Sequence, residues 1–196
     1  MKKIVLDLDD YCDKHNCLKD LIDLKKYLPN LKVTLFTIPK RISKELLETV
    51  KFLDWIQLAI HGEYHDSNYE FARRTYDEAY GKIYTAFDPF FYIGGFKAPG
   101  WQISKETMKA LKKLGFWVAV QYPDDRMNGH PDGKYQPAVI KGMKYYALNE
   151  EQEGYIKIHG HTWDVCGNGI KDIAEKLKKI PKETQFEFIN NITKIC

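Results

Sequence analysis

Short apolar runs alternate along the chain with segments whose apolar residues recur at helical spacing. "KIVLDL" at 3–8 is followed by residues 15–28, where Leu18, Leu21, Ile22 and Leu28 mark one face of a helix. "KVTLFTI" then precedes a stripe of Leu46, Val50 and Leu53 within residues 43–54. "WIQLAI" leads to a polar, aromatic segment that reads as a long helix around 68–87, ended by Pro89. "FYIGGFK" leads to a helix over 104–114, and "FWVAVQY" follows the turn at Gly115. "YIKIHGH" precedes a helix near 169–179, and "TQFEFI" closes the chain as a strand. Two helices open with the same four residues, "ISKE" at 42–45 and 103–106, where Ser43 and Ser104 are natural N-caps and the glutamate suits the positive helix end. This alternation predicts an α/β fold with a parallel sheet or (β/α) barrel, whose ligands bind at the carboxyl ends of the strands. No linker, low-complexity segment or long repeat interrupts it, so residues 1–196 are expected to form a single domain.

Several of these strands end in reactive residues. The first ends in Asp9 and Asp10, the third in "HGEYH" (His61 to His65), the fourth in "KAPGW" (Lys97 to Trp101), and a late one in "HGH" (His159 to His161). Carboxylates at the end of a buried strand need partners, because unpaired buried charge is expensive. Two chemistries open with such a run, a phosphatase of the haloacid dehalogenase type and a metal-dependent deacetylase. The phosphatase would use Asp7 and Asp9, but Tyr11 stands where it needs threonine, and it has no use for a histidine pair. His61 and His65 are four apart, close enough to grip one ion if the chain between them coils. Two imidazoles and a carboxylate leave a position open for water, as at a catalytic zinc. Asp7 falls on the same side of its strand as Asp9 and is expected to support it or to bond a buried backbone group. The strand is expected to break at Gly160, separating the roles of His159 and His161. His15 and His130 are read as surface residues.

Composition narrows the classes. With 44% apolar and 29% charged residues the chain reads as soluble and globular, and a net charge of +3 spread along it argues against a nucleic-acid partner. No apolar run reaches the ~18 residues of a membrane span, so no membrane partner is expected. Cys12, Cys17, Cys166 and Cys196 show no paired spacing and are expected as reduced thiols. Lys2 and Lys3 imitate a signal peptide, but Asp7, Asp9 and Asp10 interrupt its apolar core, and the expected location is cytoplasmic.

With these residues in order, the sequence resembles the polysaccharide deacetylase superfamily, carbohydrate esterase family four. The family's signatures run as an Asp-Asp strand end, H-x-x-x-H, R-x-P-x-G, an acidic motif, and a Leu-x-His strand end. Here they correspond to "LDLDDY", "HGEYH", "KAPGW" and "KIHGH" across residues 4–164, with "YPDDR" offering Asp124 or Asp125 as the acidic motif. The resemblance implies a distorted (β/α) barrel with about seven parallel strands. It implies that Asp9 is the catalytic base, that Asp10, His61 and His65 hold one divalent metal ion, that Gly100 supplies a backbone oxyanion donor, and that His159 is the general acid. Trp101, His161 and Trp163 would contact substrate. Lys97 replaces the usual arginine, keeping the charge while losing the bidentate fork. Zinc is the first choice of metal, and cobalt, nickel and iron(II) suit the same donors.

The implied reaction is hydrolysis of an N-acetyl or similar amide group on a carbohydrate-like small molecule or oligosaccharide. Two rivals stand beside it: an amidohydrolase of the same superfamily acting on a small imide or ureide, and a catalytically silent carbohydrate- or metal-binding protein.

Overall fold

The computed structural model describes residues 2–126, 136–164 and 167–196. His130 and Cys166 lie outside these described residues. In chain order the elements are β1 (Lys3–Tyr11), α1 (Leu18–Tyr27), β2 (Val33–Thr37), α2 (Lys44–Lys51), β3 (Ile56–His61), α3 (Tyr76–Ala86), β4 (Gly95–Lys97), α4 (Lys105–Lys113), β5 (Trp117–Val120), β6 (Lys144–Ala147), β7 (Tyr155–His161), α5 (Ile170–Leu177), β8 (Phe186–Glu187) and β9 (Lys194–Ile195). The sheet runs β7-β1-β2-β3-β4-β5-β6-β9, and β8 pairs with β1 off this path. Every pairing from β7 through β6 is parallel, which gives the seven parallel strands expected, and β9 adds an antiparallel edge. Among the described residues β6 and β7 are not paired, so the curled sheet forms a barrel left open between them.

β1 shows how the sheet divides its two faces. Ile4, Leu6 and Leu8 pack outward with the helices in the main apolar core, while Val5 belongs to a second cluster inside the curl with Phe36, Ala59, Trp117, Ala119, Tyr146, Ile189 and Ile192. Successive side chains on a strand alternate, so the next two positions on Val5's face are Asp7 and Asp9. The interior therefore grades from apolar to charged toward the carboxyl ends of the strands. The β1–β2 register shifts between Leu8 and Tyr11, and Asp10 has a φ of 69°. This irregularity matters, because on a regular strand Asp9 and Asp10 would face opposite sides.

Both "ISKE" signals are helix starts: the Ser43 hydroxyl accepts from Leu46 N–H, and the Ser104 hydroxyl from Thr107 N–H. Three expectations are corrected, and one strand is not foreseen by the sequence pattern. The helix expected over 68–87 begins only at Tyr76, because Thr75 and Glu78 close a capping box there. β6, "KYYA", carries too little pattern to be read as a strand, since its place depends on pairing with β5. "TQFEFI" contributes only the pair Phe186–Glu187, laid beside Ile4 and Val5. Finally, β7 does not break at Gly160, which pairs with Leu8, and the strand continues to His161. A Cβ on Gly160 would lie 2.0 Å from Ile173 Cδ1 and 2.7 Å from the Asn168 carbonyl, so this glycine lets α5 and the preceding loop approach the strand. Cys12, Cys17 and Cys196 are free thiols, the first two buried. No described helix is long and apolar enough to cross a membrane.

Candidate active site

Asp10, His61 and His65 come together at the carboxyl ends of β1 and β3. Asp10 Oδ1 lies 3.4 Å from His61 Nε2 and 3.3 Å from His65 Nε2. The two imidazole rings stand 4.8 Å apart at 63°. His61 ends β3, and the chain then turns through Gly62 and His65, both at positive φ, which returns the second imidazole to the first. His61 Nδ1 is 3.0 Å from the Lys97 carbonyl, an acceptor, so Nδ1 carries the proton and Nε2 offers its lone pair to the site. Trp163 Nε1 donates to Asp10 Oδ2 at 2.8 Å, which fixes that carboxylate and leaves Oδ1 facing the imidazoles. Asp10 Oδ1 is buried and has no hydrogen-bond partner. A buried carboxylate oxygen of this kind, aimed at two imidazole nitrogens, fits a cation ligand.

The electrostatics agree. Burial would raise the pKa of Asp10, but the neighbouring His61 imidazole, the Trp163 bond and the charge of His65 outweigh it and hold the carboxyl well below the usual range. Burial would lower His61, yet the charge of Asp9 and the contact with Asp10 raise it, a sign of strong negative potential. Burial pushes His65 down, toward the neutral form that binds metals.

A second cluster adjoins the first. Lys97, fully buried, donates to Asp7 Oδ1 at 2.7 Å and to Asp9 Oδ1 at 2.8 Å. His159 Nδ1 lies 2.8 Å from Asp7 Oδ1 and 3.2 Å from Lys97 Nζ. His159 Nε2 then faces Asp9 Oδ2 at 3.8 Å, and Tyr146 donates to the other oxygen of Asp7 at 3.4 Å. The Lys97 ammonium also sits 4.0 Å from the centre of the Trp101 ring and 4.5 Å from that of Phe36. Burial works to raise the pKa of Asp7, but the charges and hydrogen bonds of Lys97 and His159 outweigh it and hold it well below the usual carboxylate range. Together the clusters set three carboxylates, of Asp7, Asp9 and Asp10, against one ammonium. A divalent cation would balance that excess.

Asp9, His159 and His161 form another group whose donor atoms are close enough to hold an ion. That group already contains the Lys97 ammonium, within 2.8 Å of Asp9 and 3.2 Å of His159. Among the described residues no ammonium bonds to the Asp10, His61 and His65 group, so a metal ion would fit there better.

The remaining expected residues line the rim. Gly100 sits at φ 59°, and a Cβ there would lie 2.6 Å from Asn68 Cβ. The N–H groups of Trp101 and Gln102 are taken by the carbonyls of Ala98 and Pro99, whereas that of Gly100 has no backbone partner among the described residues. Trp101 meets His159 edge-on, His159 lies 5.4 Å from His161, and His161 lies 5.8 Å from Trp163. His15, read from sequence as a lone surface residue, instead packs 5.8 Å from Trp163.

The acidic motif is corrected. Of its two candidates, Asp124 is half-exposed and bonded to Arg126 and Asp125 is exposed, and the carboxylate beside His159 is Asp7. Sequence reasoning placed Asp7 near Asp9 but missed this link, which the direct pairing of β1 with β7 creates by setting Asp7 opposite His159. It also missed Glu70, whose carboxylate accepts from Glu63, Tyr64 and His65 N–H. The unbroken run "HDSNYEF" held only a weak signal for this, an acid just after the histidine pair.

The sequence matches no family model and no curated protein. The fold does have solved counterparts. A family 4 acetyl xylan esterase from Clostridium thermocellum, in complex with a cobalt ion, superposes with a TM-score of 0.61 at 13% identity, covering 97% of this chain and 89% of the other. The peptidoglycan deacetylase PdaC from Bacillus subtilis gives 0.58 at 18% identity, covering 97% and 89%. A CE4 family pseudoenzyme from Bacillus anthracis gives 0.58 at 16% identity, covering 97% and 65%. The curled, mostly parallel sheet is thus the distorted (β/α) barrel of family four carbohydrate esterases.

Proposed function

We propose that this chain is a metal-dependent hydrolase of the polysaccharide deacetylase type, which removes an N-acetyl or similar amide-linked group from a carbohydrate-like substrate. The observation that carries this is the juxtaposition of an unpartnered Asp10 Oδ1 between two imidazole Nε2 atoms with Asp9, held by a buried lysine, on the next residue. The fold it shares with an acetyl xylan esterase and a peptidoglycan deacetylase supports the same class.

Asp10, His61 and His65 would hold the ion, with zinc, cobalt, nickel and iron(II) all suited to two imidazoles and a carboxylate. When bound, the ion supplies Lewis acidity, polarising a carbonyl and lowering the pKa of water. Asp9 is the base: Lys97 fixes Oδ1, and Oδ2 is left to accept the proton of the attacking water. His159 is the acid. Asp7 and Lys97 engage Nδ1, so Nε2 is the atom that faces Asp9 and delivers a proton to the leaving amine. The Gly100 N–H donates to the developing oxyanion, a contribution typically worth about 3 kcal/mol. Trp101, His161 and Trp163 form an aromatic rim on which a sugar ring can lie.

A silent binding protein is the second reading, favoured by one observation: the same fold is found in a pseudoenzyme. Elemental analysis followed by an acetate-release screen separates the two. One divalent ion per chain and acetate release from N-acetylated chito-oligosaccharides or a related acetylated sugar are expected. A metal-loaded protein that releases acetate from none of them would refute the hydrolase.

A further inference from the structure

The two histidine ligands are joined by a turn in which no described side chain of residues 62–64 bonds to the turn's own backbone. Gly62 has none, Glu63 turns its carboxylate to Lys82, and Tyr64 is exposed. His65 nevertheless sits at φ 52°, a left-handed conformation that is costly for a residue other than glycine. Something outside the turn must fix it.

Three consecutive N–H groups of the turn converge on one carboxylate. Glu70 Oε1 accepts from Glu63 N at 3.3 Å and Tyr64 N at 3.1 Å, while Oε2 accepts from Glu63 N at 3.2 Å and His65 N at 3.0 Å. Consecutive N–H groups of this kind form an anion-binding concavity, and bonds to a carboxylate are about twice as strong as neutral ones. Glu70 itself is buried and carried on anchored backbone. The carbonyl of the next residue, Phe71, accepts from Ser104 N at 2.9 Å and Thr107 Oγ1 at 3.3 Å, and the Phe71 ring packs edge-on against Phe96. The glycine in the turn serves the same contact. A Cβ on Gly62 would lie 2.3 Å from Glu70 Oε2 and 2.7 Å from Pro99 Cγ. The irregular stretch before α3, where sequence predicted helix, is what returns Glu70 to the turn.

We infer that Glu70 is a positioning residue for the metal ligands: its carboxylate replaces side-chain bonds within the turn and sets His65 Nε2 against Asp10 and His61. This rests on the proposed role of Asp10, His61 and His65 as the metal site. Glu70 stands outside the proposed ligand set, and among the described residues its carboxylate bonds only to the turn's N–H groups, so its effect should appear in metal affinity and ligand geometry before any turnover is measured.

The test is Co²⁺ titration of the metal-free full chain, followed by visible absorption and competition with a chelator, for the parent, Glu70→Ala and Glu70→Gln. Thermal melting of each metal-free protein reports folding. Glu70→Ala should bind Co²⁺ about 10–100-fold more weakly, the usual effect of removing an outer partner of a metal ligand, with altered absorption bands. Glu70→Gln keeps one acceptor oxygen and should lose less. A purely structural role would lower the melting temperature and leave the bands of the folded protein unchanged. A folded Glu70→Ala that binds Co²⁺ within about twofold of the parent, with the same bands, would overturn the inference. If Glu70→Ala does not fold, Glu70→Gln is judged by the same criterion, and failure of both to fold would also overturn it. A parent that binds no Co²⁺ would instead refute the metal site itself.

Discussion

Replacing Lys97 by methionine isolates the buried charge at the centre of the site. Methionine keeps most of the aliphatic length but removes the ammonium, which is shared by Asp7 and Asp9 and lies against the Phe36 and Trp101 rings. Removing one partner of a buried ion pair generally costs ~3–5 kcal/mol, because the other is left buried and unpaired. Here two carboxylates lose their cation, but Asp7 keeps His159 and Tyr146, so the lower end, about 3 kcal/mol, is the expected loss. Against a typical stability of ~5–15 kcal/mol the variant should still fold. With a urea dependence of ~3 kcal/mol per molar, its midpoint should fall by about 1 M. Turnover should fall further in proportion, by about 100-fold or more, because Asp9 and His159 both lose the group that orients them. Lys97→Arg restores the charge in a site shaped for a smaller group and should fall between the two. Urea unfolding and acetate release measure both effects. A Lys97→Met protein within about 1 kcal/mol of the parent and equally active would refute the account of the cluster.

His61→Ala should lose bound metal and activity while the chain still melts cooperatively; full metal content in the variant would remove His61 from the ligand set. Asp9→Asn should retain the metal and lose ~10²–10⁴-fold in rate, as expected for a missing base, and near-normal turnover would assign the base elsewhere. An acid acting with a carboxylate base gives a bell-shaped dependence of kcat/KM on pH. Its alkaline limb should flatten in His159→Gln with a large loss of rate, whereas His161→Gln should keep the limb and change KM more than kcat. The opposite pattern would transfer the acid role to His161.

The sequence by itself determined the alternation of strand and helix, the two serine caps, and the identity of the strands whose ends carry chemistry. These are local properties: periodicity and capping depend on neighbours in the chain, and strand ends gather at one edge of any parallel sheet. Asp9, Asp10, His61, Lys97 and His159 could all be named from strand ends, and the fold brings them together. What the tertiary structure decided is how those residues are paired. The carboxylate beside His159 is Asp7 and not one from "YPDDR", because β7 lies directly against β1, a choice between strands that are distant in sequence. The register shift and positive φ that turn Asp10 onto the same side as Asp9 depend on the fit of β1 to β2. Residues 68–75 read as helix because their composition permits one. They adopt a turn because Thr75 and Glu78 cap the helix later, and because three N–H groups at 63–65 draw the Glu70 carboxylate into a place that exists only once β3, β4 and α4 have assembled.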